Sequence, residues 1–345
     1  MSKRNLNRIQ KSAVESFGKP VLIFAGAGSG KTRVLTHKIA HLVKTNLVPA
    51  ENILAVTFTN KAAQQMRERV NSLLKDKTVS VNLGTFHSIC ARILRKEIHH
   101  LGYSAQFSIF DVKDQLIMVK VVLEAMGIPK NDVTPQEVRH KISYYKNKLI
   151  YPDEAQNQAH LVIEKKYAEI YKNYQKALFD NNAVDFDDLL LLPLEIFEKF
   201  PNILEQYRKS WKYILVDEYQ DTNKPQFMLI KYLAGVHQQV CVVGDDDQSI
   251  YGWRGADIRN ILDFEKTFGN CEVFKLEKNY RSSGHILEAA ASVVKNNDDR
   301  VLKELIAHNG AGEKLGLIET HDEMEEADAV VNALEKEIKL EKRNF

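Results

Sequence analysis

Gly26, Ala27, Gly28, Ser29, Gly30, Lys31 and Thr32 stand together between an apolar run at 21–25 and a helical pattern carrying Val34, Leu35 and Ile39. With the frame started at Ala25, they read as Gly-x-x-x-x-Gly-Lys-Thr with alanine in place of the first glycine. Small residues let successive backbone N–H groups turn inward around a phosphate, and the following helix adds the positive end of its dipole. On this reading Lys31 reaches the β- and γ-phosphates of a nucleotide, Thr32 holds Mg2+, and Arg33 follows on the same turn. The alternative, a glycine-rich turn with an incidental lysine, is disfavoured by the strand before and the helix after.

A second apolar run, 213–216, ends in two acids, Asp217 and Glu218. Two carboxylates at a strand end are costly unless a cation or hydrogen bonds compensate them. Beside a phosphate loop, Asp217 is assigned to Mg2+ through water and Glu218 to the general base for water attacking the γ-phosphate. After the run 240–243 comes a loop holding Asp245, Asp246, Asp247, Gln248, Tyr251, Trp253 and Arg254. Gln248 suits a sensor of the γ-phosphate or attacking water. Tyr251, Trp253 and Arg254 suit stacking on unpaired bases, since every base has a π-face. Aromatic residues also serve as core filler, but Trp253 between Gly252 and Arg254 follows no apolar periodicity and points to a surface platform.

Two further strand-to-helix passages carry similar chemistry. Thr57, Phe58, Thr59, Asn60 and Lys61 offer hydroxyls, an amide and backbone N–H groups to a DNA phosphate, with Phe58 against a base. Gly84, Thr85, Phe86, His87 and Ser88 repeat the arrangement. His87 alone reads equally as a satisfied core histidine, and a zinc site at His87 or at His99 and His100 lacks matching ligands.

The elements that must position these residues are legible as apolar runs at 21–25, 53–58, 79–83, 213–216 and 240–243, separated by longer helical patterns. That alternation predicts an α/β fold with a parallel sheet, with ligand loops leaving the carboxyl ends of the strands. Residues 84–212 carry no comparable buried-strand signal and read as an all-helical insertion. Within it Thr134, Pro135 and Glu137 form a capping box, and Ile142, Tyr145 and Leu149 give apolar spacing of three and four. Ala327, Val330, Val331, Leu334 and Ile338 mark a last amphipathic helix. At 345 residues the chain is too long for one domain, and its 44% apolar content suits a globular protein. A net charge of +2 neither demands nor excludes nucleic acid. Cys90, Cys241 and Cys271 are too few and scattered for a disulfide framework and fit a reducing cytoplasm. No apolar stretch is long enough for a membrane span, so no membrane partner is expected.

These motifs, in this order, resemble those of the UvrD/Rep/PcrA helicases of superfamily 1. The resemblance is carried by Leu6, Asn7 and Gln10, the phosphate loop, residues 57–63, 84–87, 217–223 and 244–251, and the run Leu276, Glu277, Lys278, Asn279, Tyr280, Arg281, Ser282 and Ser283. Asp245, Asp246 and Asp247 with residues 280–284 favour a Rep-like member. The resemblance implies that Gln10 reads the adenine edge of ATP, Tyr280 stacks on the adenine and Arg281 touches the γ-phosphate. It implies a RecA-like P-loop NTPase domain at 1–87 and 199–279, interrupted by a helical subdomain at 88–198. A second RecA-like domain would begin at 280–345 and be incomplete. The implied activity is ATP-dependent 3′-to-5′ movement on single-stranded DNA and at single-strand/double-strand junctions, alongside replication or repair proteins.

Residues 184–190 also fit the family, although a capped helix start with solvated acids explains their carboxylates better than catalysis does. The later family motifs are missing, including the arginine that completes the site from the opposite domain. A fragment that binds nucleotide and single strands but hydrolyses little ATP and does not unwind is therefore expected. A naturally truncated, nucleotide-dependent DNA-binding or regulatory module is the rival reading. A small-molecule kinase would leave Phe58, Tyr251 and Trp253 without a job.

Overall fold

The computed structural model describes residues 6–75, 80–129, 131–297 and 300–341. Its centre is a six-stranded parallel sheet of β1 (Val21–Ala25), β2 (Ile53–Thr57), β3 (Asn82–Thr85), β6 (Tyr213–Val216), β7 (Val240–Gly244) and β8 (Glu272–Leu276), in the order β3-β2-β6-β7-β1-β8. β1, β2, β6 and β7 are buried along their whole length, as expected of strands covered on both faces. Alternate residues enter two separate cores. Leu22, Leu54, Ile214 and Val242 face one side, while Ile23, Ala55, Leu215 and Val243 face the other. The helices Arg8–Glu15, Lys31–Lys44 and Asn60–Leu74 supply the second core. Phe86–Glu97, Asp188–Lys199, Pro201–Ser210 and Lys224–Ala234 supply the first.

The expected runs at 21–25 and 213–216 coincide with β1 and β6. The third strand begins later than expected, at Asn82, and Val79 lies outside the described residues. β8 was not anticipated: its Glu-Val-Phe-Lys-Leu alternation is that of a half-exposed edge strand, not of a buried run.

The insertion has its own core, drawn from residues between Val119 and Ala183. The helix Pro135–Asn147 starts at the Thr134 cap with both capping-box hydrogen bonds formed. Leu149 lies past its end at a φ of 56°, so it does not continue the helical stripe. The insertion is also not all helical, because β4 (Ser108–Phe110) and β5 (Ala183–Asp185) form a short parallel pair. Two acids here, Asp185 at the end of β5 and Asp188 beyond it, are not solvated. Asp185 and Asp188 are buried and share the buried Lys146 ammonium, each at 2.7 Å. A helix start ringed by solvated carboxylates is thereby replaced by an internal ion triad.

Beyond β8, β9 (Lys278–Asn279) pairs with β10 (Ile306–Ala307) in a separate two-stranded sheet. The helix Gly284–Val294 lies between its two strands in sequence and Glu323–Glu341 follows them, the latter carrying the expected stripe of Val330, Val331, Leu334 and Ile338, all exposed. Among the described residues, no helix is long and apolar enough to cross a membrane.

Candidate nucleotide site and nucleic-acid interface

The phosphate loop leaves β1 and turns through Gly28 and Gly30, at φ 70° and 96°, into the helix Lys31–Lys44. A side chain at Gly28 would meet Arg281 Cβ at 2.6 Å and Asn279 Nδ2 at 2.8 Å, so the bare backbone is what lets residues 279–281 approach. The Asn279 amide donates to the Ala27 carbonyl at 2.6 Å, and the Tyr280 N–H donates to Gly28 O at 3.0 Å. Arg281 lies beside the loop with an exposed side chain. Leu305 lies against Gly26, where an added methyl would meet it at 2.4 Å.

Gln10 and Tyr280, expected around an adenine, stand at one end of this loop. Gln10 is buried, accepts from the Asn7 N–H at 3.0 Å and donates to the Ser29 carbonyl at 2.8 Å. Asn7 in turn donates to the Tyr280 hydroxyl at 2.9 Å. Ser29 is fixed by its hydroxyl to Gly26 O at 2.7 Å, and Arg33 is half-buried on the first helical turn.

β6 sits two strands from β1, so its carboxyl end faces the same loop. The Lys31 ammonium lies 2.9 Å from a Glu218 carboxylate oxygen. The Thr32 hydroxyl donates to Asp217 at 3.4 Å. Burial first, then the neighbouring Glu218 charge, push the Asp217 carboxyl up to about 7. A hydroxyl beside a buried carboxylate is a hard-oxygen pair suited to Mg2+, and a bound cation would relieve that upward push. Glu218 itself adopts a left-handed φ of 51°, uncommon for a residue with a side chain. The Asp217 N–H donates to the Val56 carbonyl of β2 at 2.9 Å, tying this strand end to the next.

Gln220 went unassigned in the sequence and proves central. Its buried amide donates to Glu218 and Asp221, both at 3.1 Å, and its oxygen accepts the Asp245 N–H at 3.0 Å. Gly244 permits this approach, since a side chain there would lie 2.6 Å from Gln220 Oε1. Gln248, expected to face the γ-phosphate, instead donates to the Asp245 carboxylate. Asp245, Asp246 and Asp247 surround the Lys303 ammonium at 2.9, 2.5 and 2.7 Å, a partner far away in sequence and so invisible to local patterns.

The candidate nucleic-acid face lies along the same edge of the sheet. Thr59 and Thr85 cap the helices that follow β2 and β3, accepting from the Ala62 and Ser88 N–H groups at 3.1 and 3.2 Å. The two helix N-termini thus stand at the carboxyl ends of the adjacent strands β2 and β3, with Asn60 exposed on one of them. Such ends attract phosphate. Phe58 stacks on Tyr251 at 5.3 Å and 24°. Trp253 is 75% exposed beside them, and the Arg254 side chain lies outside the described residues.

Phe86 borders the groove on this face but offers it little surface. It is 2% exposed and packs into the core beneath, because the first turn of its helix points the ring inward. His87 is half-buried with its ring 5.8 Å from Phe186, and burial pulls its pKa below the usual value. Among the described residues no histidine joins a metal-ligating cluster. The groove bounded by Phe58, His87 and Trp253 is closed on its far side by Arg139, His140, Tyr144 and Lys148 of the insertion, residues that local sequence patterns left anonymous. Asn147 bridges the two sides, accepting from Asn223 at 2.7 Å and donating to Asp187 at 3.1 Å.

The family described as UvrD/REP helicase N-terminal domain matches residues 6–269, and that described as UvrD-like helicase C-terminal domain matches residues 274–344. The chain is 46% identical over 329 residues to a protein named ATP-dependent DNA helicase PcrA from Bacillus subtilis strain 168, covering 95% of this chain and 44% of that protein. A protein of the same name from Staphylococcus aureus strain NCTC 8325 is 46% identical over 332 residues, covering 96% and 46%. The chain therefore spans less than half the length of these relatives.

Proposed function

Because the chain belongs to the UvrD/REP helicase family, we propose that it forms the ATP-binding and strand-gripping part of an ATP-driven DNA translocase and helicase moving 3′ to 5′ on single-stranded DNA. The observation that carries this reading is the sharing of one sheet edge by two sites. The phosphate loop with Lys31, Thr32, Asp217 and Glu218 stands on β1 and β6, and the aromatic groove of Phe58, Tyr251 and Trp253 opens beside it from β2 and β7.

In this mechanism the loop N–H groups and Lys31 hold the phosphates of ATP. Thr32 and Asp217 would hold Mg2+, which would offset charge on the β- and γ-phosphates. Glu218 takes a proton from the attacking water, with its carboxylate steadied by the Gln220 amide. Arg281, beside the loop, offers charge to the γ-phosphate, while Gln10 and Tyr280 enclose the base. Thr59, Asn60, Thr85 and the two helix N-termini hold DNA phosphates. Trp253, with Phe58 and Tyr251 behind it, offers stacking area to bases. His87 and the basic residues of the insertion complete the groove.

Family membership further supports single-strand/double-strand junctions as substrates, replication or repair proteins as partners and the cytoplasm as the place of action. Alone, these 345 residues are proposed to bind nucleotide and, weakly, single strands, with little turnover and no processive unwinding. The test is binding of a non-hydrolysable ATP analogue with and without oligo-dT, in wild type, Lys31→Ala and Trp253→Ala. Loss of nucleotide binding in the first and of DNA binding in the second is expected. Absence of nucleotide binding in wild type, or full DNA binding in Trp253→Ala, would overturn the corresponding half.

A further inference from the structure

We propose that Lys303 is a positioning residue of the nucleotide site, a built-in cation that fixes the 245–247 loop and, through Asp245 and Gln220, sets the Glu218 carboxylate. The proposal rests on the nucleotide reading given above, but its geometry stands without a nucleotide.

The Lys303 side chain is 2% exposed and its ammonium lies within 2.9 Å of three different carboxylates. One carboxylate oxygen from each aspartate lies within 4.8 Å of the other two, so without a cation they would repel in surroundings that solvate them poorly. A lysine ammonium has three N–H donors splayed about one axis, one for each aspartate, which the planar arginine fork cannot reproduce. The neighbouring residues reinforce the grip. The Val301 N–H donates to Asp246 at 2.7 Å and Arg300 pairs with Asp247 at 3.0 Å.

From this clamp a continuous polar path leads to the proposed base. The Asp245 N–H donates to Gln220 Oε1 at 3.0 Å. Gln220 Nε2 donates at 3.1 Å to Glu218 Oε2, the same oxygen that Lys31 contacts at 2.9 Å. Two residues beyond Lys303, Leu305 rests on Gly26 of the phosphate loop. One short segment therefore touches both the phosphate loop and the loop after β7, and a displacement of it reaches Glu218 from one side and the phosphate cradle from the other.

The experiment compares the wild-type chain with Lys303→Met and with Lys303→Met/Asp246→Asn, which carries one fewer uncompensated carboxylate should the single variant fold poorly. The first readout, taken without nucleotide, is the NMR resonance of the Gln220 side-chain amide. The second is the ratio of affinities for a fluorescent ATP analogue and for the matching ADP compound. The Gln220 resonance is expected to shift or broaden in both variants. The preference for the triphosphate is expected to fall about tenfold, the loss of roughly one charge-assisted hydrogen bond, while ADP affinity stays within about threefold. An unmoved Gln220 resonance overturns the proposal. So does equal weakening of both nucleotides, which would mark Lys303 as merely structural. If wild type binds neither nucleotide, the nucleotide reading fails instead, and the Gln220 resonance still decides the relay.

Discussion

Lys31 and Glu218, 187 positions apart, meet as an ion pair 2.9 Å long across the phosphate loop. The residue that would greet the phosphates and the residue that would deprotonate water are thus held together by their own charges. Glu218→Gln keeps the shape and the hydrogen bond from Gln220 but cannot take a proton. Its turnover, in any longer form of the protein that hydrolyses ATP, is expected to fall by about 10²–10⁴, with analogue affinity changed only a few-fold. Steady-state kinetics beside equilibrium binding checks this, and retained turnover would remove Glu218 from the role of base.

Trp253 and Phe86 separate stacking from packing. Trp253→Ala should weaken oligo-dT binding by about 1–3 kcal/mol, read by fluorescence anisotropy. Phe86→Leu should leave DNA affinity nearly unchanged while lowering stability by about 1 kcal/mol, since its ring borders the groove but is only 2% exposed and packs into the core. A DNA-binding loss in Phe86→Leu equal to that in Trp253→Ala would contradict this division.

The buried triad of Lys146, Asp185 and Asp188 yields a stability prediction. Lys146→Met strands two carboxylates inside the protein and should cost about 3–5 kcal/mol in urea unfolding. Adding Asp185→Asn and Asp188→Asn should recover most of that loss. No recovery in the triple variant would mean that the cost comes from lost packing.

Asp221 lines the groove, and burial followed by the Glu218 charge raises its carboxyl from 3.8 to about 6. The folded state therefore binds more protons than the unfolded state between those values. Stability contributed at this site falls as pH rises through the window from about 4 to 6, and the penalty is complete above it. Asp221→Asn should raise stability by about 1 kcal/mol at pH 8, a figure reduced for the solvent reaching the groove, and by almost nothing at pH 4. Thermal melts of both proteins at the two pH values provide the check, and a gain that is equal at both would exclude titration as its source.

The strands β1 and β6 and the residues at their ends were readable because burial on both faces writes an unbroken apolar run and the chemistry follows immediately in sequence. β8 was not, since an edge strand with Val273 and Lys275 exposed and a glutamate at its start looks like a surface segment. Lys146 and Lys303 escaped for a different reason. A lone lysine in a pattern reads as solvent-facing, and only the fold brings acids 39–42 and 56–58 positions away to meet it. Phe86 shows the opposite limit, because an aromatic beside a glycine and a histidine has the composition of a ligand loop, yet sequence does not say that its ring is almost wholly buried at the groove's border. Asn147 and Gln220 were visible as polar residues, yet nothing local says that each ties two distant segments together.

The hydrogen bond from the Asp217 N–H to the Val56 carbonyl lies one residue before each of the two loops, Glu218 on one strand and Thr57 with Phe58 on the other. On the proposed reading, fuel and grip would hang from adjacent rungs of a single ladder. A paired ladder leaves little slack between its rungs, so motion between the two in such a machine would have to come from the loops at the rim. Alterations that leave fuel consumption intact while the machine slips should collect in those loops, and alterations in the strands should stop both together.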